Sequence, residues 1–270
     1  MGNRDAAEKK LQKKNDEEVM ELAIQSGHVL LENGAEIFRV EETMSRICRY
    51  YDVQSGSHFV LSNGIFATAG DSRERFFAKV QHIPVSGTHL DKVAAVNQLS
   101  REIEEGKYTV SEAAAELERI KAMPEKRKSV QIMASGIGSA AFCCLFGGNA
   151  IDSLVAFGAG VILYAYVLFI SGPHLSKIVG NVGGSTLVTI ICALFHILGI
   201  GEHLNFMIIG SIMPLIPGVA FTNAIRDVAD GDYISGAVRM LDALLIFFCI
   251  AIGVGLGIAI VNRIMGGVGL

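Results

Sequence analysis

Apolar and polar positions alternate with two different rhythms along this chain, and the change falls near residue 128. Before it, the elements are amphipathic. Asp16 to Leu31 has helical spacing, and Asn33-Gly34 in "ENGAE" suits its end. A second helix follows, with Ile37, Val40, Met44, Ile47 and Tyr51 on one face. Glu36, Arg39, Glu41, Glu42, Arg46 and Arg49 occupy the other face, which reads as solvated. "SHFVLSNGIFATAG" predicts a hairpin, because Asn63-Gly64 is a favoured tight-turn pair between β-prone runs. Arg75 to Ile83 predicts a third strand before Pro84. Leu90 to Glu105 and Ser111 to Ala122 are helical in pattern, the latter with Ser111 as its expected N-cap.

After residue 128 the rhythm gives way to long apolar runs. Residues 129–148, 153–171, 204–225 and 243–262 are the first, second, fourth and fifth of these, and 178–201 is the third. None of the five contains Asp, Glu, Lys or Arg, and the third holds His196 alone as a titratable group. Each is close to the ~20 residues that cross a ~30 Å hydrocarbon core, and helices are the sound way to do so because lipid satisfies no loose amide. A soluble bundle would need charged outer faces, which these runs do not offer. Small residues recur in "ASGIGSAA", "GNVGGST" and "GVGLGIA", which predicts close helix packing.

Composition sharpens the division. Of the 50 Asp, Glu, Lys and Arg residues, 40 lie in residues 1–128, whereas 22 of the 30 glycines lie after them. We therefore expect two domains, a cytoplasmic α/β domain over 1–128 and a five-helix transmembrane domain over 129–270. Lys126, Arg127, Lys128, Lys177, Arg226 and Arg239 flank one set of span ends, and the opposite loops hold Asn149, Asp152, Glu202 and His203. The positive-inside rule then puts the N-terminus in the cytoplasm and the C-terminus outside, with Arg263 as the exception. The polar start predicts no cleaved signal peptide. A net charge of −4 argues against nucleic acid as a partner.

Little here suggests an enzyme. His28 lies one turn before Glu32, and His58, His82 and His89 are scattered. No nucleophile elbow, HExxH, paired CxxC or P-loop occurs, and the five cysteines lack metal-site spacing. We expect no metal, no cofactor and no catalytic residues. A membrane-anchored enzyme or sensor, working through the first domain, is the alternative from another class.

The stretch "SIMPLIPGVAFTNAIRDVADGD" carries the chemistry. Pro214 and Pro217 each remove a backbone donor, and Gly218 frees the chain, so a helix entering from Leu204 should kink or break. Broken helices at membrane depth line cavities in transporters, where half-helix ends meet charged groups. Asn223, Arg226 and Asp227 follow, and Arg239 and Asp242 open the fifth run. These eight residues are the expected transport path. Arg226 is expected to hold a substrate carboxylate or to pair with Asp227 or Asp242. Asp227 and Asp242 are the expected proton-coupling acids. Asp230 and Asp232 read as a wet loop, and His196 as a hydrogen-bonded packing residue.

"LLENGAEIFRVEETMSRIC", "FVLSNGIFATAGD" and "PLIPGVAFTNAIRDVADGDYISGAVRMLDAL" together resemble the threonine/serine exporter family of bacterial inner-membrane transporters. The resemblance runs from about Asp16 to the fifth span. It implies an α-helical polytopic membrane protein with five transmembrane helices, one kinked or broken at the PxxPG motif, behind an N-terminal cytoplasmic α/β domain. It implies export of small carboxylate-bearing metabolites, threonine and serine or else succinate-type dicarboxylates. Because the chain resembles the larger subunit of the family's split form, it also implies a small five-span partner subunit, within a higher oligomer.

Overall fold

A computed structural model describes residues 2–53, 56–70, 75–83 and 87–265. The chain divides into two compact units, one built from residues 1–124 and 219–240, the other from 125–218 and 241–270. Residues 219–240, which the apolar pattern groups with the second half, cluster with the first unit.

In the first unit, α1 (Gly2–Glu32) and α2 (Ile37–Tyr50) precede three strands, β1 (Gly56–Leu61), β2 (Gly64–Gly70) and β3 (Arg75–His82), and then α3 (Leu90–Glu104) and α4 (Val110–Lys121). The strands form an antiparallel sheet in the order β1-β2-β3. The hairpin forms as predicted, but Leu61 pairs with Gly64, so Ser62 and Asn63 are the central residues of its turn and Gly64 opens β2. Pro84, which bounds the expected third strand, lies outside the described residues. The apolar face of α2 is buried as expected at Ile37, Val40, Met44 and Ile47, and it shares one core with Met20, Ile24 and Leu31 of α1, Ile65 of β2, Leu99 of α3 and Leu117 of α4. At about 25 cal/mol per Å² of apolar surface removed from water, such a core is the main stabilising term of the unit.

The start of α4 differs from expectation. Its N-cap is Thr109, not Ser111. The Thr109 hydroxyl accepts the Glu112 amide at 3.4 Å, and the Glu112 carboxylate accepts the Thr109 amide at 2.9 Å. Thr109 and Glu112 have the three-residue spacing of a capping box, and Ser111 has alanine at that spacing.

The second unit begins with α5 (Lys128–Leu145) and α6 (Ala150–Tyr166), the latter running through a π turn at Val167–Ser171 into the single turn α7 (Gly172–His174). Next come α8 (Lys177–Ile197), α9 (Leu204–Ile212) and a 3₁₀ turn at Met213–Leu215. Helix α10 (Gly218–Ala229) from Val219 onward and the first turns of α11 (Tyr233–Ile264) belong to the first unit, and the rest of α11 to the second. Among the described residues, three helices, Ala150–Ser171, Lys177–Ile197 and Tyr233–Ile264, are long and apolar enough to cross a membrane, and the number rises to four if Leu204–Leu215 and Gly218–Ala229 count as one broken segment. Helix α5, the first expected span, is not among them. Its 18 residues are diluted by Lys128, Gln131, three serines and two glycines.

Cys143, Ala156, Leu163, Val188, Cys192 and Met207 form the core of this unit. Small residues set the helix spacing. A Cβ on Gly210 of α9 would lie 2.7 Å from the Ser139 carbonyl oxygen and the Cys143 backbone nitrogen of α5, so only glycine permits that approach. Helices α8 and α11 meet where the Thr186 hydroxyl donates to the Gly253 carbonyl at 3.0 Å. Leu154, Ile162, Phe169, Leu194, Phe248 and Ile252 turn outward and are exposed. An apolar outer surface of this kind suits lipid or another membrane chain rather than water.

Candidate functional site

The expected break is present, and its local chemistry explains it. Helix α9 stops at Ile212, Pro214 sits in the 3₁₀ turn, and Ile216 is extended ahead of Pro217, with ψ of 123°. The residue before a proline is driven out of the helical region, and Pro217 has no amide to continue the ladder. The turn keeps what bonds it can: the Ile216 amide donates to the Met213 carbonyl at 3.1 Å, and the Gly218 amide to the Ile216 carbonyl at 2.8 Å. Pro214 and Pro217 are half-buried and Gly218 is exposed. Just before the break, the buried Ser211 hydroxyl donates to the Met207 carbonyl at 2.7 Å.

The polar residues beyond the break fall into two groups. Within the first unit, Asn223, Arg226, Asp227 and Arg239 converge on the turn between α1 and α2. Gly34 makes that turn with φ of +85°, a conformation that suits glycine. The Asn223 amide donates to the Gly34 carbonyl at 2.8 Å, and the Arg239 guanidinium donates to the Ala35 carbonyl at 3.0 Å. The Asp227 carboxylate accepts the Ile37 amide at 3.1 Å and Arg239 at 3.0 Å. Arg226 is paired with Glu36. The first amides of a helix have no intrahelical acceptor, and Glu36, the N-cap of α2, makes no side-chain cap. Asp227 fills that role from a segment 190 residues away.

Asp227 and Arg239 are an ion pair whose side chains are 1% and 12% exposed. Such a pair is held by its extra hydrogen bonds, and removing either partner strands the other charge. Arg226 meets Glu36 rather than Asp227 or Asp242, the two side-chain pairings expected from sequence. Ser235, at the start of α11, accepts the Ser62 amide beside the hairpin turn at 3.1 Å. The three sequence motifs, far apart in the chain, therefore meet in one place.

Asp242 stands apart from this group. In the second unit it accepts Lys177, at the start of α8, at 2.6 Å, and both side chains are about half exposed. An exposed pair of this kind contributes little to stability, so its charges remain open to other work.

The histidines of the first unit do not form one site. His28 meets Gln81 at 2.7 Å and Glu32 at 3.6 Å, whereas His58 contacts the Ser45 hydroxyl at 3.0 Å and the Glu41 carbonyl at 3.1 Å. Burial lifts the Glu41 carboxyl above the usual range, against the pull of the Val60 amide that it accepts. Among the described residues, no group of three His, Cys, Asp or Glu side chains could hold a metal ion.

Sequence reasoning missed one buried acid. Asp152, in the first turn of α6, is fully buried, and its carboxylate accepts the amides of Asn149, Glu202 and His203 and lies 2.8 Å from His203 Nδ1. The signal that could have found it is the Asn149-x-x-Asp152 capping-box spacing, which loop polarity alone does not bring out. His196, as expected of a packing residue, bonds the Gly201 carbonyl at 3.0 Å.

Similarity to known proteins bears on this geometry. The family model described as "Putative threonine/serine exporter" matches residues 21–261. The threonine/serine exporter of Corynebacterium glutamicum is 24% identical over 89% of this chain and 50% of its own length. The "Probable succinate transporter subunit YjjP" of Klebsiella aerogenes is 24% identical over 87% of this chain and 91% of its own length. Pheromone-regulated membrane protein 10 of Debaryomyces hansenii is 24% identical over 83% of this chain, which spans 23% of that protein. The chain thus spans about a quarter of the fungal relatives and half of the corynebacterial one. No solved structure matches it. With a family match over nearly its whole length and several apolar, membrane-length helices, the chain is a multi-pass membrane protein of the threonine/serine exporter family.

Proposed function

We propose that this chain is a subunit of an inner-membrane secondary transporter that exports small carboxylate-bearing metabolites, foremost threonine and serine. The observation that carries the reading is the break at Pro214–Pro217, in a segment otherwise apolar enough to span. Freed backbone groups at membrane depth are tolerated where they line a polar cavity, and a half-helix N-terminus such as that at Gly218 favours a carboxylate. The path includes Pro214, Pro217, Gly218, Asn223, Arg226, Asp227, Arg239 and Asp242. Arg226 is the candidate carboxylate ligand, exchanging Glu36 for substrate. Transport is driven by protons, with Asp227 and Asp242 as acids on the route.

Five spans complete this reading, with α5 as the first and the α9–α10 pair as the fourth. The N-terminal domain is cytoplasmic and the C-terminus outside. A small five-span membrane subunit completes the transporter, within a higher oligomer. The exposed apolar residues of the second unit support such a neighbour. Succinate-type dicarboxylates are the second reading, favoured by the name of the Klebsiella relative.

The test is efflux. Cells lacking the native chain are loaded with threonine, serine or succinate, and export is followed with and without the chain and its small subunit. Export of one class that needs both proteins is expected. Equal export without this chain for all three would defeat the reading, and full-rate transport by this chain alone in liposomes would defeat the two-subunit part.

A further inference from the structure

Within the second unit, where the 201–203 loop meets the start of α6, a buried acid and a half-exposed base face one another. Asp152 is fully buried, and the His203 side chain is 43% exposed. Oδ1 of Asp152 accepts the amides of Glu202 at 2.8 Å and His203 at 3.3 Å, and Oδ2 accepts the Asn149 amide at 3.0 Å and meets His203 Nδ1 at 2.8 Å. Three backbone amides leave this carboxylate one strong partner, the imidazole. A carboxylate only accepts, so the neutral ring holds its proton on Nδ1 and keeps a lone pair on Nε2. His203 is also the N-cap residue of α9, the helix that ends at the proline break.

The geometry points to the Asp152–His203 pair as the proton-binding site through which the transporter takes up its driving protons. The inference rests on the export reading above. A proton from water adds to Nε2, giving an imidazolium paired with the Asp152 carboxylate, and the same proton leaves from Nε2 on release. The charge change sits at one end of a nine-residue helix whose other end is the break, so binding of the proton can reach the substrate path through α9.

Neighbouring elements bring few competitors. Cys143 of α5 lies beside Gly148, His196 of α8 is tied to the Gly201 carbonyl, and Glu202 follows in the loop. Helix α11, whose last turn carries Arg263, packs on α8 where Gly257 meets Thr189. The loop itself is shaped to hold the acid. Gly201 has φ of +93°, and a Cβ there would lie 3.0 Å from Asp152 Oδ1.

Two readouts test the site on the full chain. The protein has no tryptophan, and the Phe206 ring lies 5.4 Å from that of His203, so Phe206→Trp introduces a single indole, excited selectively over the six tyrosines, beside the imidazole. Protonation of His203 should quench its emission as pH falls. The quench should vanish with His203→Gln. In membrane vesicles carrying each variant with the small subunit, a pH gradient should speed wild-type substrate flux. With His203→Gln or Asp152→Asn, the ratio of flux with and without the gradient should fall to about one, the value for zero coupling. Glu202→Gln should keep both signals. His203→Gln retains the buried acid and its three amides, which guards against a folding defect.

An absent quench would overturn the proposal. So would a quench accompanied by undiminished gradient stimulation in both variants, which would make the pair a structural tie. A wild-type chain that moves none of the three substrates, with the quench intact, would instead overturn the export reading.

Discussion

The carboxylate of Asp227 caps α2 by accepting the Ile37 amide at 3.1 Å, while its second oxygen holds Arg239 at 3.0 Å. One side chain therefore completes a helix and neutralises a buried cation. Asp227→Ala should cost about 3 kcal/mol, because it strands Arg239 and leaves the Ile37 amide unpaired. Hydrogen exchange at Ile37 in the full chain in detergent should accelerate on the order of a hundredfold. Pairing the change with Arg239→Met should recover about half of the loss. Simple additivity of the two would show that the pair is not coupled.

Replacing both prolines of the break tests what it does. Pro214→Ala with Pro217→Ala restores two amide donors and lifts the block on helix at Ile216. Membrane insertion should persist, while export should fall about tenfold, equivalent to about 1.4 kcal/mol at the rate-limiting step. Undiminished export would remove the break from the transport path.

Lys177 and Asp242 invite a charge test. Asp242→Asn should leave the protein's folding intact, since an exposed pair contributes about 0–1 kcal/mol. Under the proposed mechanism it should abolish uphill export in a pH gradient. Unchanged accumulation ratios would take Asp242 off the proton route.

His28 sets a pH dependence in the first unit. The Gln81 side-chain amide lies 2.7 Å from His28 Nδ1. Burial holds its pKa below the ordinary value, aided by Lys121 and Lys79 and opposed by Glu32. A group with a depressed folded-state value contributes stability that is present above the unfolded value, about 6.5, and is lost as pH falls through the folded one. The opening constant of amides in α1 and β3, read as exchange relative to the intrinsic rate at each pH, should therefore rise below about pH 6.5 in the wild type. His28→Gln should flatten that trend, and an identical trend in the variant would exclude His28 as its source.

The cap of α4 offers a local control. Thr109→Ala removes the hydroxyl that accepts the Glu112 amide and should cost about 1 kcal/mol, read as faster exchange in the first turn of α4. Ser111→Ala should change little there. The reverse ranking would contradict the capping box.

Features that depend on neighbours in sequence are legible without coordinates. The β1–β2 hairpin, the buried stripe Ile37–Val40–Met44–Ile47 and the break at Pro214–Pro217 each follow from local spacing or from proline's missing donor. What stays hidden depends on distant partners. Nothing near Asp227 says that its acceptor serves Ile37, nor does the Gly34 turn advertise Asn223. Asp152 reads as one polar loop residue among several because its burial depends on the 201–203 loop, about fifty residues on. The same locality explains Thr109: two residues satisfy the composition of an N-cap, and only the spacing to Glu112 separates them.

Because residues 219–240 belong to the unit that begins at the N-terminus, that unit is discontinuous in sequence. On the ribosome, the turn at Gly34 waits for Asn223 and Arg239 while the whole of α5 to α9 is synthesised between them. Its last hydrogen bonds close only after those intervening helices have emerged, so biogenesis of the amphipathic half is timed by the apolar half.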